Sequence, residues 1–202
     1  SFRYPGAEDD VLHDISFKAE RGGTLAIIGA TGSGKSTLVG LIPRFYDATA
    51  GEVLIDGVNV KDYDFDTLYG KLGYVTQKAV LFAGTIRDNV FFGKRRAAES
   101  DENLRRALEI SQAAEFVDKL PEGAAHKIAQ LGRNVSGGQK QRLSIARALA
   151  RDPEILVFDD SFSALDYRTD AALRGALAEK MRDATKIIVA QRIGTIRHAD
   201  QI

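Results

Sequence analysis

Eight consecutive residues, Gly29, Ala30, Thr31, Gly32, Ser33, Gly34, Lys35 and Ser36, carry the spacing G-x-x-x-x-G-K-S. The chemistry open to such a run is phosphate binding. Glycines let the backbone wrap so that successive N–H groups and the amino end of a following helix point at phosphate oxygens. Lys35 then reaches the outer phosphates of a nucleoside triphosphate, and Ser36 offers its hydroxyl to Mg²⁺. The expected binding loop runs from Gly29 to Thr37. A second glycine run, Ser136-Gly137-Gly138-Gln139, opens another helical stretch, and the apolar residues 155–158 deliver Asp159 at their end. Alone, a glycine-rich helix start is often only a turn. Lying between a phosphate loop and an apolar strand that ends in aspartate, it is far more specific.

These residues need elements to hold them. Residues 25–28, 73–75, 155–158 and 187–190 are short apolar runs without the alternation of a half-exposed strand. They read as buried parallel strands. Helical stretches over 36–45, 102–120, 139–150 and 169–182 lie between and after them, so the fold class is α/β with a mainly parallel sheet. Residues 53–55 and 58–60 flank Asp56-Gly57, a dipeptide suited to the positive backbone angles of a tight hairpin, which predicts a small antiparallel piece. Residues 93–101 read as a loop. Each of the four apolar runs ends on a polar or glycine-rich segment: Gly29 onward, Gln77, Asp159-Asp160 and Gln191. Ligands of open α/β sheets sit outside the carboxyl ends of the strands, so these segments form the expected site.

Bulk properties narrow the function classes. The 202 residues suit one domain with a substantial core. Lysine plus arginine and aspartate plus glutamate each number 28, which gives no long-range attraction to nucleic acid, and no nucleic-acid partner is expected. Cysteine is absent, which excludes a thiol nucleophile, a disulfide scaffold and the common zinc sites. A metal, if used, is held by oxygen. No apolar run approaches the roughly 18 residues of a membrane span. The single methionine is Met181 and the sequence stops within an apolar segment, which reads as a piece of a longer protein.

Taken together, the phosphate loop, the Ser136 to Gln139 run and Asp159 resemble the ATP-binding cassette family of transporters over nearly the whole chain. Val75-Thr76-Gln77 followed by Leu81-Phe82-Ala83-Gly84-Thr85-Ile86-Arg87-Asp88-Asn89 is similar to the exporter branch. The resemblance implies a P-loop ATPase core and antiparallel β subdomain over about residues 1–80 and 151–202, with an inserted helical subdomain over about 81–150. It implies ATP and Mg²⁺ as cofactors, with Ser36, Gln77 and Asp159 at the metal and Tyr4 stacked on adenine. Tyr4 also shares a face with Phe2, so a core role stands beside that one. Ser163-Ala164-Leu165-Asp166 resembles the loop that touches an opposing cassette, and Ser136, Gly137, Gly138 and Gln139 are expected to serve ATP held by that cassette. The implied partners are a second nucleotide-binding domain and transmembrane domains, at the cytoplasmic face of the membrane. A soluble cassette ATPase of DNA repair or translation is the first rival, but such proteins usually insert a coiled coil or zinc modules. A non-hydrolytic regulatory module is the second.

Three segments depart from the family pattern. Asp160 stands where active cassettes carry a glutamate that polarises the attacking water, which sets the carboxylate one methylene back. Gln191 stands where they carry histidine, and an amide can hydrogen-bond phosphate but cannot take up or release a proton. Residues 126–132 do not read like the acidic, glycine-containing segment that exporters often place before the second glycine run. With Lys35, Asp160 and Gln191 as its catalytic positions, the site is expected to hold ATP and hydrolyse it slowly, as the degenerate half of a heterodimer. Removing the lysine charge by Lys35→Ala should weaken Mg-ATP binding by roughly 10- to 100-fold, the value of one or two charge-assisted hydrogen bonds. Calorimetric titration checks this, and unchanged affinity would contradict the phosphate-loop assignment.

Overall fold

A computed structural model describes residues 1–93 and 99–202, so the expected loop at 93–101 lies partly outside the described residues. The strands are β1 Thr24–Ile28, β2 Leu54–Ile55, β3 Val58–Asn59, β4 Leu72–Val75, β5 Gly84–Thr85, β6 Lys127–Ile128, β7 Ile155–Asp159 and β8 Thr185–Ala190. The helices are α1 Lys35–Gly40, α2 Phe65–Lys71, α3 Ile86–Val90, α4 Asp101–Ile110, α5 Ala114–Val117, α6 Gly137–Leu149, α7 Tyr167–Lys180 and α8 Ile193–Ile196.

The four apolar runs form one sheet in the order β1-β8-β7-β4, and every neighbouring pair is parallel. Alternate residues of β7 enter different cores, which is why these strands show no alternation of apolar and polar residues. Leu156 and Phe158 pack with Leu104 of α4, Leu143 of α6 and Leu173 of α7, whereas Val157 packs with Val39 of α1 and Leu68 of α2. Helices therefore cover both faces. The register places Ile28 opposite Ala190, Val189 opposite Asp159 and Phe158 opposite Val75, so the four carboxyl ends emerge along one edge.

The helix boundaries depart from the sequence pattern for identifiable reasons. The expected helix over 36–45 ends as α1 at Gly40, and the chain continues in tighter turns, Leu41 N–H to Leu38 O at 3.2 Å and Arg44 N–H to Leu41 O at 3.2 Å. Pro43 has no N–H to continue the ladder, and Arg44 sits at φ 57°. The stretch over 102–120 divides into α4 and α5, because Gln112 adopts φ 61° and its side chain folds back onto Glu109 O at 3.0 Å. The hairpin forms around Asp56 and Gly57 at φ 52° and 79°, while a second antiparallel pair, β5 with β6, and the short helices α2 and α3 were not foreseen. Asp64 caps α2, and a Thr85–Asp88 capping box starts α3.

A lysine is lodged in the sheet. Lys186, in β8, is 5% exposed, and its ammonium donates to Met181 O at 3.0 Å and Gly22 O at 3.2 Å. Burial disfavours the charge and lowers its pKa from the ordinary 10.5, against the opposing influence of Asp200 and Asp183. The unfolded chain then binds this proton more readily than the folded one, so folding stability rises with pH as the group passes from its lowered value to 10.5. Lys186→Met should lack this rise. Urea midpoints of both proteins at pH 7 and pH 10 check it, and parallel trends would contradict the assignment.

Candidate nucleotide site

The phosphate loop leaves β1 and closes on α1. Gly32 and Gly34 adopt φ 83° and 85°, and a Cβ on Gly34 would also stand 3.0 Å from the Leu12 side chain. A Cβ on Gly29 would lie 2.9 Å from Ser33 Oγ. The glycines are thus required by conformation and by close packing. The Lys35 ammonium lies along the loop, donating to Gly29 O at 2.8 Å, Ala30 O at 2.6 Å and Ser33 Oγ at 3.2 Å. It is held among the same residues whose N–H groups would face phosphate.

The end of β7 meets this loop. Ser36 Oγ donates to Asp159 Oδ1 at 2.7 Å, across 123 residues of sequence. Tyr74, in β4, donates its hydroxyl to the other oxygen, Oδ2, at 3.3 Å. Burial raises the phenol pKa well above its usual value, and the Asp159 charge and hydrogen bond raise it further, so the hydroxyl stays a donor at physiological pH. Tyr74 was missed at the sequence level. Its only signal is a polar atom within an otherwise apolar buried run.

Asp160 lies one residue on, 6% exposed and at φ 48°, a left-handed conformation that aspartate tolerates better than most residues. Its Oδ2 accepts from two amides, Gln77 Nε2 at 3.0 Å and Gln191 Nε2 at 2.8 Å. Three of the four strand ends are therefore joined by one carboxylate oxygen. Gln77 gives its nitrogen to Asp160 and keeps its amide oxygen as an acceptor. The following residue, Arg192, donates to Ser163 O at 3.0 Å and Leu165 O at 3.1 Å, tying the end of β8 to the loop that precedes α7. Asp166 caps α7 through Thr169 N–H, and that bond lowers its pKa.

Tyr4 is half-buried beside the loop. Its hydroxyl shares a 2.9 Å hydrogen bond with Thr37 Oγ1, and its ring meets Phe2 and Tyr46 edge-on at 4.9 and 5.0 Å. The ring packs on a small core, and the phenol is tied to the first turn after the phosphate loop. A cavity of about 580 Å³ opens against it, lined by Arg3, Asp10 and Tyr46 among others.

The second glycine run starts α6. Ser136 and Gln139 close a reciprocal capping box, Gln139 N–H to Ser136 Oγ at 3.3 Å and Ser136 N–H to Gln139 Oε1 at 2.8 Å. A Cβ on Gly137 would meet nothing within 4 Å. Among the described residues no hydrogen bond joins Ser136, Gly137, Gly138 or Gln139 to residues 29–37. The link from α6 to the site is instead Gln141, 1% exposed, whose amide donates to Thr76 O at 3.2 Å, next to Gln77. Farther along α6, Arg147 donates to Asn89 O and Val80 O and lies over the Phe82 and Phe92 rings, where burial lowers its pKa to about 10.

The donor set fits a hard, oxygen-seeking cation such as Mg²⁺. Ser36 supplies a hydroxyl and Asp159 a carboxylate in direct contact, and no group of three or more His, Cys, Asp or Glu gathers among the described residues. That is the composition expected where nucleotide phosphates and water complete the coordination.

Comparison with known proteins places the chain in a family. A family model described as ABC transporter matches residues 12–163. The chain is 48% identical over its whole length to an uncharacterized ABC transporter ATP-binding protein of Mycobacterium tuberculosis, and 43% identical to a Bacillus subtilis protein named, provisionally, as a multidrug export ATP-binding/permease protein. It spans 34% of the length of each. The structure of a bacterial Atm1-family ABC exporter with ATP bound superposes with a TM-score of 0.91 at 37% identity, covering 98% of this chain and 35% of that one. The chain belongs to the ABC transporter family, as an ATP-binding domain of the ATPase type that this family couples to transport.

Proposed function

We propose that this domain binds Mg-ATP on the Gly29 to Thr37 loop, powers an exporter from the cytoplasmic face of the membrane, and hydrolyses its own ATP slowly. The observation that carries the slow site is the double amide contact on Asp160: one carboxylate oxygen already accepts from Gln77 and Gln191. Hydrolysis is phosphoryl transfer to water, and water must lie nearly in line with the γ-phosphorus. A displacement of about 1 Å in the polarising group costs on the order of a hundredfold in rate. Asp160 is one methylene shorter than glutamate, and Gln191 has no proton to exchange. Bound Mg²⁺ would neutralise phosphate charge at Ser36 and Asp159, with Gln77 beside them. Lys35 would leave the loop carbonyls for the outer phosphates, and Tyr4 would turn a ring face to adenine.

The export reading draws on the names of the relatives and on their length, about three times that of this chain. The division into an α/β core with β subdomain (about 1–80 and 151–202) and a helical subdomain (about 81–150) belongs to the same reading. In it, the transmembrane domains and a second, non-identical cassette are the partners. The second cassette's phosphate loop would close on Ser136 to Gln139, where the exposed amino end of α6 and its N–H groups stabilise the γ-phosphate. That composite site would do most of the work, while the Lys35 site keeps its ATP longer.

Two measurements on the assembled transporter test this. Asp160→Glu combined with Gln191→His should raise hydrolysis at this chain's own site. An unmodified homodimer turning over at about 1 to 10 per second, ordinary for enzymes, would contradict the slow-site reading. In the heterodimer, Ser136→Arg should nearly abolish steady-state hydrolysis while Asp160→Asn changes the total little. Equal, severe losses would contradict the division of labour.

A further inference from the structure

Asp159 carries one hydrogen bond on each carboxylate oxygen, from Ser36 to Oδ1 and from Tyr74 to Oδ2. The two donors come from different elements on one face of the sheet, the face where Val39 of α1, Val157 and Tyr74 pack together. Ser36 belongs to α1 behind the phosphate loop, and Tyr74 to β4, where it lies opposite Val157 in the register, two residues before Asp159. We propose that Tyr74 is a positioning residue for the divalent cation of the nucleotide site, holding the Asp159 carboxylate plane so that Oδ1 faces Ser36 and the metal. This rests on the reading of Ser36 and Asp159 as the cation's protein partners.

The torsion between Cβ and the carboxylate of an aspartate is soft and roughly two-fold, so a carboxylate anchored at one oxygen still rocks about its axis. A second donor on the other oxygen fixes the plane. A phenol suits the task better than lysine or arginine would. It orients Oδ2 without neutralising the carboxylate, so the negative charge stays available to the cation. The Tyr74 ring is itself held, edge-on to Phe45 at 5.2 Å, and its neighbours Gly73 and Val75 in β4 are buried. A cation-binding serine can keep donating its one hydrogen to Oδ1 while its lone pair faces the metal. The Tyr74 bond is therefore compatible with the loaded site. Partners of metal-binding carboxylates that act in this way typically change metal affinity by about 10- to 100-fold when removed.

The test is Tyr74→Phe in the full-length transporter, which removes one oxygen and keeps the ring against Phe45. Binding of Mn²⁺ in the presence of a non-hydrolysable ATP analogue is followed by electron paramagnetic resonance, and analogue affinity is measured with Mg²⁺ and with EDTA. Tyr63→Phe is the control, since the Tyr63 hydroxyl donates to Ile55 O at 3.0 Å and touches none of these residues. Mn²⁺ affinity should fall roughly tenfold in Tyr74→Phe, with the metal-free analogue affinity unchanged and Tyr63→Phe unaltered throughout. Equal Mn²⁺ affinity in Tyr74→Phe and the parent would overturn the proposal. So would a loss of analogue affinity that is the same with and without metal, because that is the signature of a merely structural tyrosine. If the parent itself gained nothing from metal, or Asp159→Asn left Mn²⁺ binding intact, the underlying cation assignment would fail instead.

Discussion

The hydrogen bond from Ser36 to Asp159 depends on the register of the parallel sheet, and much of the site depends on that bond. Two residues separated by 123 positions meet at 2.7 Å because β1 and β7 flank β8 with their carboxyl ends level. A one-residue slip of β7 would turn Asp159 to the opposite face and carry Leu156 and Phe158 out of their core. The burial of those apolar side chains, both fully enclosed, thus holds the polar edge in register. Since neighbouring strands are parallel, no tight hairpin can set the alignment; helices crossing both faces must do it.

In the proposed reading, the same edge accounts for a site that would bind ATP and turn it over slowly. Phosphate and cation binding would draw on the loop, Ser36 and Asp159, whose hydrogen bonds are already made. Activation of water would, in that reading, draw on Asp160 and residue 191, and here the bonds made are those between an aspartate and two amides. Those bonds join β4, β7 and β8 to one another at their ends. Gln141 reaches the carbonyl of Thr76 from α6, so the element that starts at Ser136 is mechanically connected to Gln77 and through it to Asp160. A movement of α6 has a short, hydrogen-bonded path to the strand ends.

The sheet was legible in the sequence because burial on both faces leaves an unmistakable pattern, four apolar runs each ending in a polar residue. The phosphate loop was legible because conformation and close approach both demand glycine there. What escaped notice was governed by local backbone events and by tertiary contact. Gln112 ended a helix by folding onto Glu109, and Pro43 shortened another by one missing donor. The pair β5 and β6 comprises two residues on each side, too short to print a period. The contact of Tyr74 with Asp159 could be placed only when the register of β4 against β7 was known. The contact of Gln77 with Asp160 likewise required three dimensions, whereas the substitutions at 160 and 191 were visible as departures from a family pattern.

The central claim is that the phosphate loop of this chain holds ATP while its own aspartate and glutamine do little to cleave it. It is tested most directly by labelling the assembled transporter, under turnover conditions, with a photoreactive ATP analogue and identifying the nucleotide attached to this chain. The account predicts predominantly intact triphosphate on this chain while diphosphate accumulates in solution. Predominantly diphosphate on this chain, formed at the rate of overall turnover, would contradict it.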